Sequence, residues 1–156
     1  MDIVLLRHAD AAGPAGLADD AARQLTAVGR HQAHAIGQRL RWYDCGVDQV
    51  WVSPSLRTRE TAEIVMAIHN ETATVVVDER LRPTASEPEL QALVAAWLTQ
   101  PHCPRLIVAH QPTLHALARG LLRDGEVAPI ARAEAIRITN GRLRWRFRHG
   151  DDAPRR

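Results

Sequence analysis

The chain has 156 residues, 46% of them hydrophobic and 4% aromatic, with a formal net charge of +2; this suits one domain with one aliphatic core. All 20 of its cationic side chains are arginine, which excludes a lysine Schiff base and the GK(S/T) of a P-loop. Its cations are not gathered into one tract, no apolar run approaches the eighteen or so residues that span a bilayer, and no signal-peptide pattern opens the chain, so a cytoplasmic protein without a membrane or nucleic-acid partner is expected.

Asp2 to Leu6 is a short apolar run that reads as a strand buried on both faces, with Arg7-His8 at its end. After a Gly/Pro-containing loop, the spacing predicts a helix over about Thr26 to Tyr43, with Val28, Ala33, Ile36 and Leu40 near one face and Gly46 as its stop. Val47 to Val52 is a second strand, and Ser53-Pro54 reads as a helix start, serine capping and proline in the first turn, for a helix to about His69. Val75 to Val77 is a third strand. Ser86 caps a helix carrying Leu90, Leu93, Val94 and Trp97; Arg105 to Ala109 is a fourth strand ending at His110; and Pro112 begins a helix through Leu122. Ala135 to Ile138, an Asn140-Gly141 turn, and Leu143, Trp145 and Phe147 alternating with arginines form a hairpin. The expected fold is α/β in three layers: a mainly parallel central sheet, helices on both faces, and an antiparallel C-terminal hairpin at the edge. A single domain over 1–149 is expected, followed by a flexible tail over 150–156.

Ligands bind at the carboxyl ends of strands in such sheets, so His8 and His110 are expected to meet over one pocket. Arg57 falls in the first turn of the helix after the second strand, where unpaired backbone N–H groups also favour an anion. Two arginines and two histidines there suit a phosphate: neutral imidazole is a good nucleophile near pH 7, and fixed guanidinium groups stabilise the charge on a phosphoryl group in transfer. His8 would attack; Arg7, Arg57 and His110 would hold the oxygens.

Leu6-Arg7-His8-Ala9 resembles the N-terminal RHG signature of the histidine phosphatase, or phosphoglycerate mutase-like, superfamily, with alanine in place of glycine. Leu25-Thr26 with Gly29, Gln32 and Ala33 resembles its LTxxGxxQA segment; Ser53-Pro54 with Arg57, Thr61 and Ala62 resembles SPxxRxxxTA; and Val108-Ala109-His110 resembles its late strand ending in GH. The order and spacing agree. The resemblance implies a phosphatase working through a phosphohistidine intermediate on His8, with Arg7, Arg57 and His110 as phosphate ligands and with no metal and no organic cofactor.

Many members carry a glutamate general acid in the loop after the third strand, and in Asp78-Glu79-Arg80-Leu81-Arg82-Pro83 its place falls to Pro83. Glu87, ahead of Glu79, is the replacement candidate, and either reads equally as a solvated charge. An alkoxide leaving group needs a proton, whereas a P–N bond tolerates a weaker acid. With the small size, this resembles the SixA-type phosphohistidine phosphatases and implies a phosphohistidine-bearing signalling or phosphotransfer protein as substrate, with inorganic phosphate as product. The alternatives are a small-molecule phosphomonoesterase or mutase acting on a small phosphorylated substrate, and a non-catalytic phosphate-dependent binding module.

Arg142, Arg144, Arg146 and Arg148 are expected to form a guanidinium row that protects an edge strand or docks an acidic partner. His31 and His34, three apart on a helix, lack a third ligand and read as surface residues. His69, His102, His115 and His149 match no motif; Asp10, close to the Arg7-His8 dipeptide, reads as an ordinary loop carboxylate with the orienting of a water as the alternative; and Cys45 and Cys103 form no CxxC pair and fit a reducing compartment.

Overall fold

Strand β1 (Asp2–Arg7) is buried over its four central residues and lies inside a six-stranded sheet. In the computed structural model, which describes residues 1–13, 19–43, 45–69, 72–100 and 105–155, the other strands are β2 (Gln49–Val52), β3 (Thr74–Val77), β4 (Arg105–Ala109), β5 (Glu134–Thr139) and β6 (Arg142–Arg148). Their order is β3-β2-β4-β1-β5-β6. The first four pair in parallel; β5 joins β1 antiparallel and carries β6 beyond it. This is the expected three-layer architecture with the hairpin at one edge.

The helices are α1 (Ala27–Trp42), α2 (Leu56–His69), α3 (Glu87–Leu98) and α4 (Thr113–Leu121). Alternate strand residues face opposite sides, so Val4, Leu6, Val50, Val52, Leu106 and Val108 pack with Ala33, Ile36, Leu40, Ala62 and Val65 of α1 and α2. Ile3, Leu5, Ile107, Ile136 and Ile138 pack with Leu90, Leu93, Trp97, Leu114 and Leu117 of α3 and α4. Crossovers towards β3 thus place their helices on one face and the return crossover on the other, as right-handed connections require.

Local chemistry sets the helix ends. Thr26 Oγ1 accepts the Gly29 N–H at 3.0 Å at the start of α1, and Glu89 reaches back to the Ser86 N–H at 2.8 Å at the start of α3. The buried face of α1 runs through Gly29, Ala33, Ile36, Gly37 and Leu40, so Val28, expected on that face, is 60% exposed. A helix turns by 100° per residue, and Gly29 takes the inward place. Helix α1 ends at Trp42 with Tyr43 as its cap, ahead of the expected stop at Gly46. Helix α2 starts at Leu56, and Ser53 serves a different partner.

The hairpin also departs from strict alternation. Arg137 faces Trp145 and Ile138 faces Leu143, which leaves Arg144 as an extra residue in a bulge. The bulge breaks the expected row of four arginines. Leu143 packs on the α3–α4 face, and Trp145 and Phe147 pack on the other. Arg146 donates to both carboxylate oxygens of the fully buried Glu134 at 2.9 Å, and Arg148 lies 3.8 Å from the same group. After β6, Arg155 and Arg146 exchange backbone hydrogen bonds of 2.7 Å, and Arg39 donates to the Asp151 and Asp152 carbonyls. Cys103 and His102 lie outside the described residues, Cys45 is buried, and His31 and His34 are exposed.

Gly29 is where α1 touches the loop behind His8: a Cβ there would sit 2.0 Å from the Asp10 carbonyl oxygen, whereas one on Gly46 would meet nothing within 4 Å. Gly29→Ala is therefore expected to destabilise the protein by about 1–3 kcal/mol in urea unfolding, and Gly46→Ala to leave it unchanged or up to about 1 kcal/mol more stable. Equal behaviour of the two variants would remove the close packing from the account.

Candidate functional site

Parallel pairing aligns the strand ends, and the ladder continues one residue beyond them. His8 N–H donates to the Ala109 carbonyl at 3.2 Å, and Ser53 N–H donates to the Val108 carbonyl at 3.0 Å. His8, His110 and Ser53 therefore leave three adjacent strands side by side. The two imidazole rings lie 5.2 Å apart, tilted by 58°, and both residues are buried, at 7% and 2% exposure.

Each histidine is oriented by a neighbour. His8 Nδ1 lies 2.8 Å from the Ala9 carbonyl oxygen; that oxygen only accepts, so the proton is on Nδ1 and Nε2 carries the free lone pair. His110 Nε2 lies 2.7 Å from Ser53 Oγ, while its Nδ1 is buried without a hydrogen-bond partner among the described residues, as is Nε of Arg7. Ser53, read from the sequence as a helix cap, thus orients a ring instead.

The motif residues around this pair have physical work. Thr61 Oγ1 accepts the Ala9 N–H at 3.1 Å and donates to the Arg57 carbonyl at 2.7 Å, tying the His8 loop to α2. Gln32 accepts the Asp10 N–H at 2.9 Å. Thr58 donates to the Ser53 carbonyl at 2.8 Å. Alanine at position 9 is accommodated, fully buried.

Two arginines chosen from the sequence stand at this end of the sheet. The Arg7 guanidinium donates to the Ile130 carbonyl at 3.1 Å. Arg57, 4% exposed, donates to the Asp20 carbonyl at 2.6 Å and to its carboxylate at 2.9 Å. Burial, and after it the charges of Arg57, Arg7 and Arg132, push the His8 pKa down to about 4 against the Ala9 hydrogen bond. Burial and the Arg57 charge push His110 down to about 3. Both rings are therefore neutral at pH 7, in a cluster whose positive charge comes from arginine alone.

The sequence reading missed three contributors: Ser53 as an orienting group, Asp20 on Arg57, and Arg132, whose charge acts on both His8 and Arg7. Conversely, among the described residues neither acid candidate forms a hydrogen bond or ion pair with His8, His110, Arg7 or Arg57. Glu79 is exposed, and its backbone carbonyl accepts from Arg82. Glu87 lines a groove between α3 and α4 with Leu90, Ala116 and Arg119. Asp10 accepts from Thr26 Oγ1 at 2.8 Å and pairs with Arg132 at 2.9 Å. Among the described residues, no group of three or more His, Cys, Asp or Glu side chains is placed to hold a metal ion, and no helix is long and apolar enough to cross a membrane.

The model of the histidine phosphatase superfamily (branch 1) matches residues 3–86. An uncharacterized protein of Picosynechococcus sp. strain PCC 7002 is 30% identical over 146 residues, 92% of this chain and 88% of that protein. Phosphohistidine phosphatase SixA of Escherichia coli K12 is 28% identical over 153 residues, 94% of this chain and 93% of SixA. Among solved structures, the protein histidine phosphatase SixA complexed with tungstate superposes with a TM-score of 0.84 at 26% identity, covering 96% of this chain and 97% of its own. A mycobacterial glucosyl-3-phosphoglycerate phosphatase shares the fold at a TM-score of 0.69 and 18% identity, over 91% and 96% of the two chains. With a family model matched over more than half of its residues and a relative 30% identical along nearly all of it, the chain belongs to the histidine phosphatase superfamily.

Proposed function

We propose that this protein is a cytoplasmic phosphohistidine phosphatase that removes the phosphoryl group from a signalling or phosphotransfer protein by way of phospho-His8. The observation that carries the reading is the pair of neutral rings under arginine charge, with the His8 lone pair on Nε2. His8 Nε2 attacks phosphorus as the substrate's P–N bond breaks, the imidazole leaving neutral with a proton carried on its own ring or taken from water; water then attacks phospho-His8, gives its oxygen to inorganic phosphate and frees Nε2. Arg7 and Arg57 hold the phosphoryl oxygens; Arg57 exchanges its Asp20 carboxylate for one of them. A Ser53 hydroxyl donating to Nε2 leaves the His110 proton on Nδ1, a buried donor ready for another oxygen. No metal or organic cofactor takes part. The likeness to SixA, small as the identity is, supports a protein substrate, and the lack of a carboxylic acid at the Pro83 position supports a nitrogen leaving group.

The ratio of kcat/KM on a phosphohistidine-bearing phosphotransfer protein to that on a simple alcohol phosphate is expected to be large, and His8→Ala to lower the first by at least about a thousandfold. Efficient alcohol-phosphate hydrolysis would replace this reading with a small-molecule phosphomonoesterase or mutase. Inactivity on both substrates, with no trapped phosphoenzyme, would leave a binding module.

A second expectation concerns pH. His8 and His110 have pKa values near 4 and 3 when folded and about 6.5 when unfolded. The unfolded chain therefore binds more protons below pH 6.5. The two rings' contribution to stability is full above that pH and is lost as the pH falls towards the folded values, each ring losing up to about 1.4 kcal/mol for every pH unit crossed. Imidazole NMR titration of the free protein is expected to show His8 neutral until about pH 4, with the midpoint raised by added phosphate; a midpoint at the ordinary value would contradict the buried, arginine-flanked ring.

A further inference from the structure

Resting on the phosphate pocket just described, we infer that Arg132 is a further phosphoryl-binding residue, which Asp10 holds at the rim of the pocket until an anion arrives. The segment that carries it is fastened across the end of β1. The Ile130 carbonyl accepts from Arg7 and from Gln111 Nε2, each at 3.1 Å. Ala131 N–H donates to Glu134 at 2.6 Å, and Ala133 N–H donates to the His8 carbonyl at 3.2 Å. Residue 132 is thus bracketed by bonds to the two residues of the Arg-His dipeptide. Ala133 is held at φ +47°, a left-handed conformation costly for alanine, and it is 1% exposed, so the surroundings enforce this turn.

The charge brought there is felt in the site. Burial first, and the Arg132 charge in addition, lower the proton affinity of Arg7, and Arg132 adds to burial, Arg57 and Arg7 in lowering that of His8. Two guanidinium groups held near one imidazole repel each other, and an anion between them relieves that repulsion. Arg132 is also available to move. Its side chain is 51% exposed and that of Asp10 31%, and an ion pair that open to water contributes about 0–1 kcal/mol. Asp10 keeps the Thr26 hydroxyl at 2.8 Å and the α1 contacts when Arg132 leaves. A phosphoryl group offers Arg132 paired charge-assisted hydrogen bonds in return. Arg57 shows the same relation deeper in the pocket, where Asp20 occupies the guanidinium. The position lies in none of the four motif segments, so Arg132 would set how strongly this chain holds its substrate's phosphoryl group.

The test is tungstate affinity by isothermal titration calorimetry on the full chain at pH 7. Arg132→Gln is expected to weaken binding about tenfold, the loss of one charge-assisted contact worth about 1.4 kcal/mol; Arg132→Lys recovers part of it. Asp10→Asn, which frees Arg132, is expected to tighten binding several-fold, and the double variant to match Arg132→Gln. In turnover, Arg132→Gln raises KM with a smaller effect on kcat. Unchanged affinity in Arg132→Gln, or an Asp10→Asn effect that persists without Arg132, would overturn this assignment while the pocket stands. A wild-type protein that binds no tungstate would overturn the pocket and this assignment together.

Discussion

The parallel pairing of β1 with β4 is the constraint on which the site depends. Their register sets Arg7 beside Ala109, and the next residue of each strand is a histidine. Strands about 4.8 Å apart then leave the two rings little choice but to be neighbours, and the 5.2 Å between their centroids is close to that spacing. The pairing holds because β1 and β4 are buried on both faces, with aliphatic side chains packed against all four helices. The same pairing continues through β2, whose end delivers Ser53 to His110 and starts the helix that carries Arg57.

Electrostatics follow from that geometry. Placing histidines where water is scarce and guanidinium groups are near makes the protonated ring unfavourable. Most proteins would offset such a cluster with buried carboxylates, as this one does for Arg146 at Glu134. At the strand ends the carboxylates come from more exposed chain: Asp20, in a turn over Asp20–Ala22, reaches Arg57, and Asp10 reaches Arg132. Exposed counter-ions are exchangeable ones, which is what a site for a diffusing anion requires.

The sheet, and the placing of His8 and His110 at adjacent strand ends, were legible because their signals are local. The apolar run ending at His8, the strand Arg105–Ala109, and the cap Ser86 all have their causes within a few residues of sequence. What escaped has its cause far away. Ser53 looks like any capping serine, and only the β2–β4 register shows that its partner is 57 residues on. Asp20 is one loop carboxylate among several, and its partner is 37 residues off. Arg132 owes its place to the antiparallel return of β5 beside β1, which no motif reports. The bulge at Arg144 is invisible to a period-two pattern, since one extra residue leaves the alternation of residue types intact while changing the face to which they point.

The absent glutamate of the third-strand loop also has a structural side. That loop is occupied with its own architecture: Asp78 accepts from Arg80, Arg82 pairs with Glu89, and Glu89 returns to Ser86. Asp78 and Glu89 are thus committed to arginines and to the start of α3, while Glu79 is exposed. The carboxylate nearest Arg57 is Asp20, and hydrogen bonds from Arg23 and Arg57 hold it below the ordinary carboxylate range. Such a group is ionised at neutral pH and has no proton to give. An alkoxide leaving group calls for a proton that Asp20 does not hold, whereas an imidazole departs with less help, and this supports the proposed phosphohistidine substrate over an alcohol phosphate.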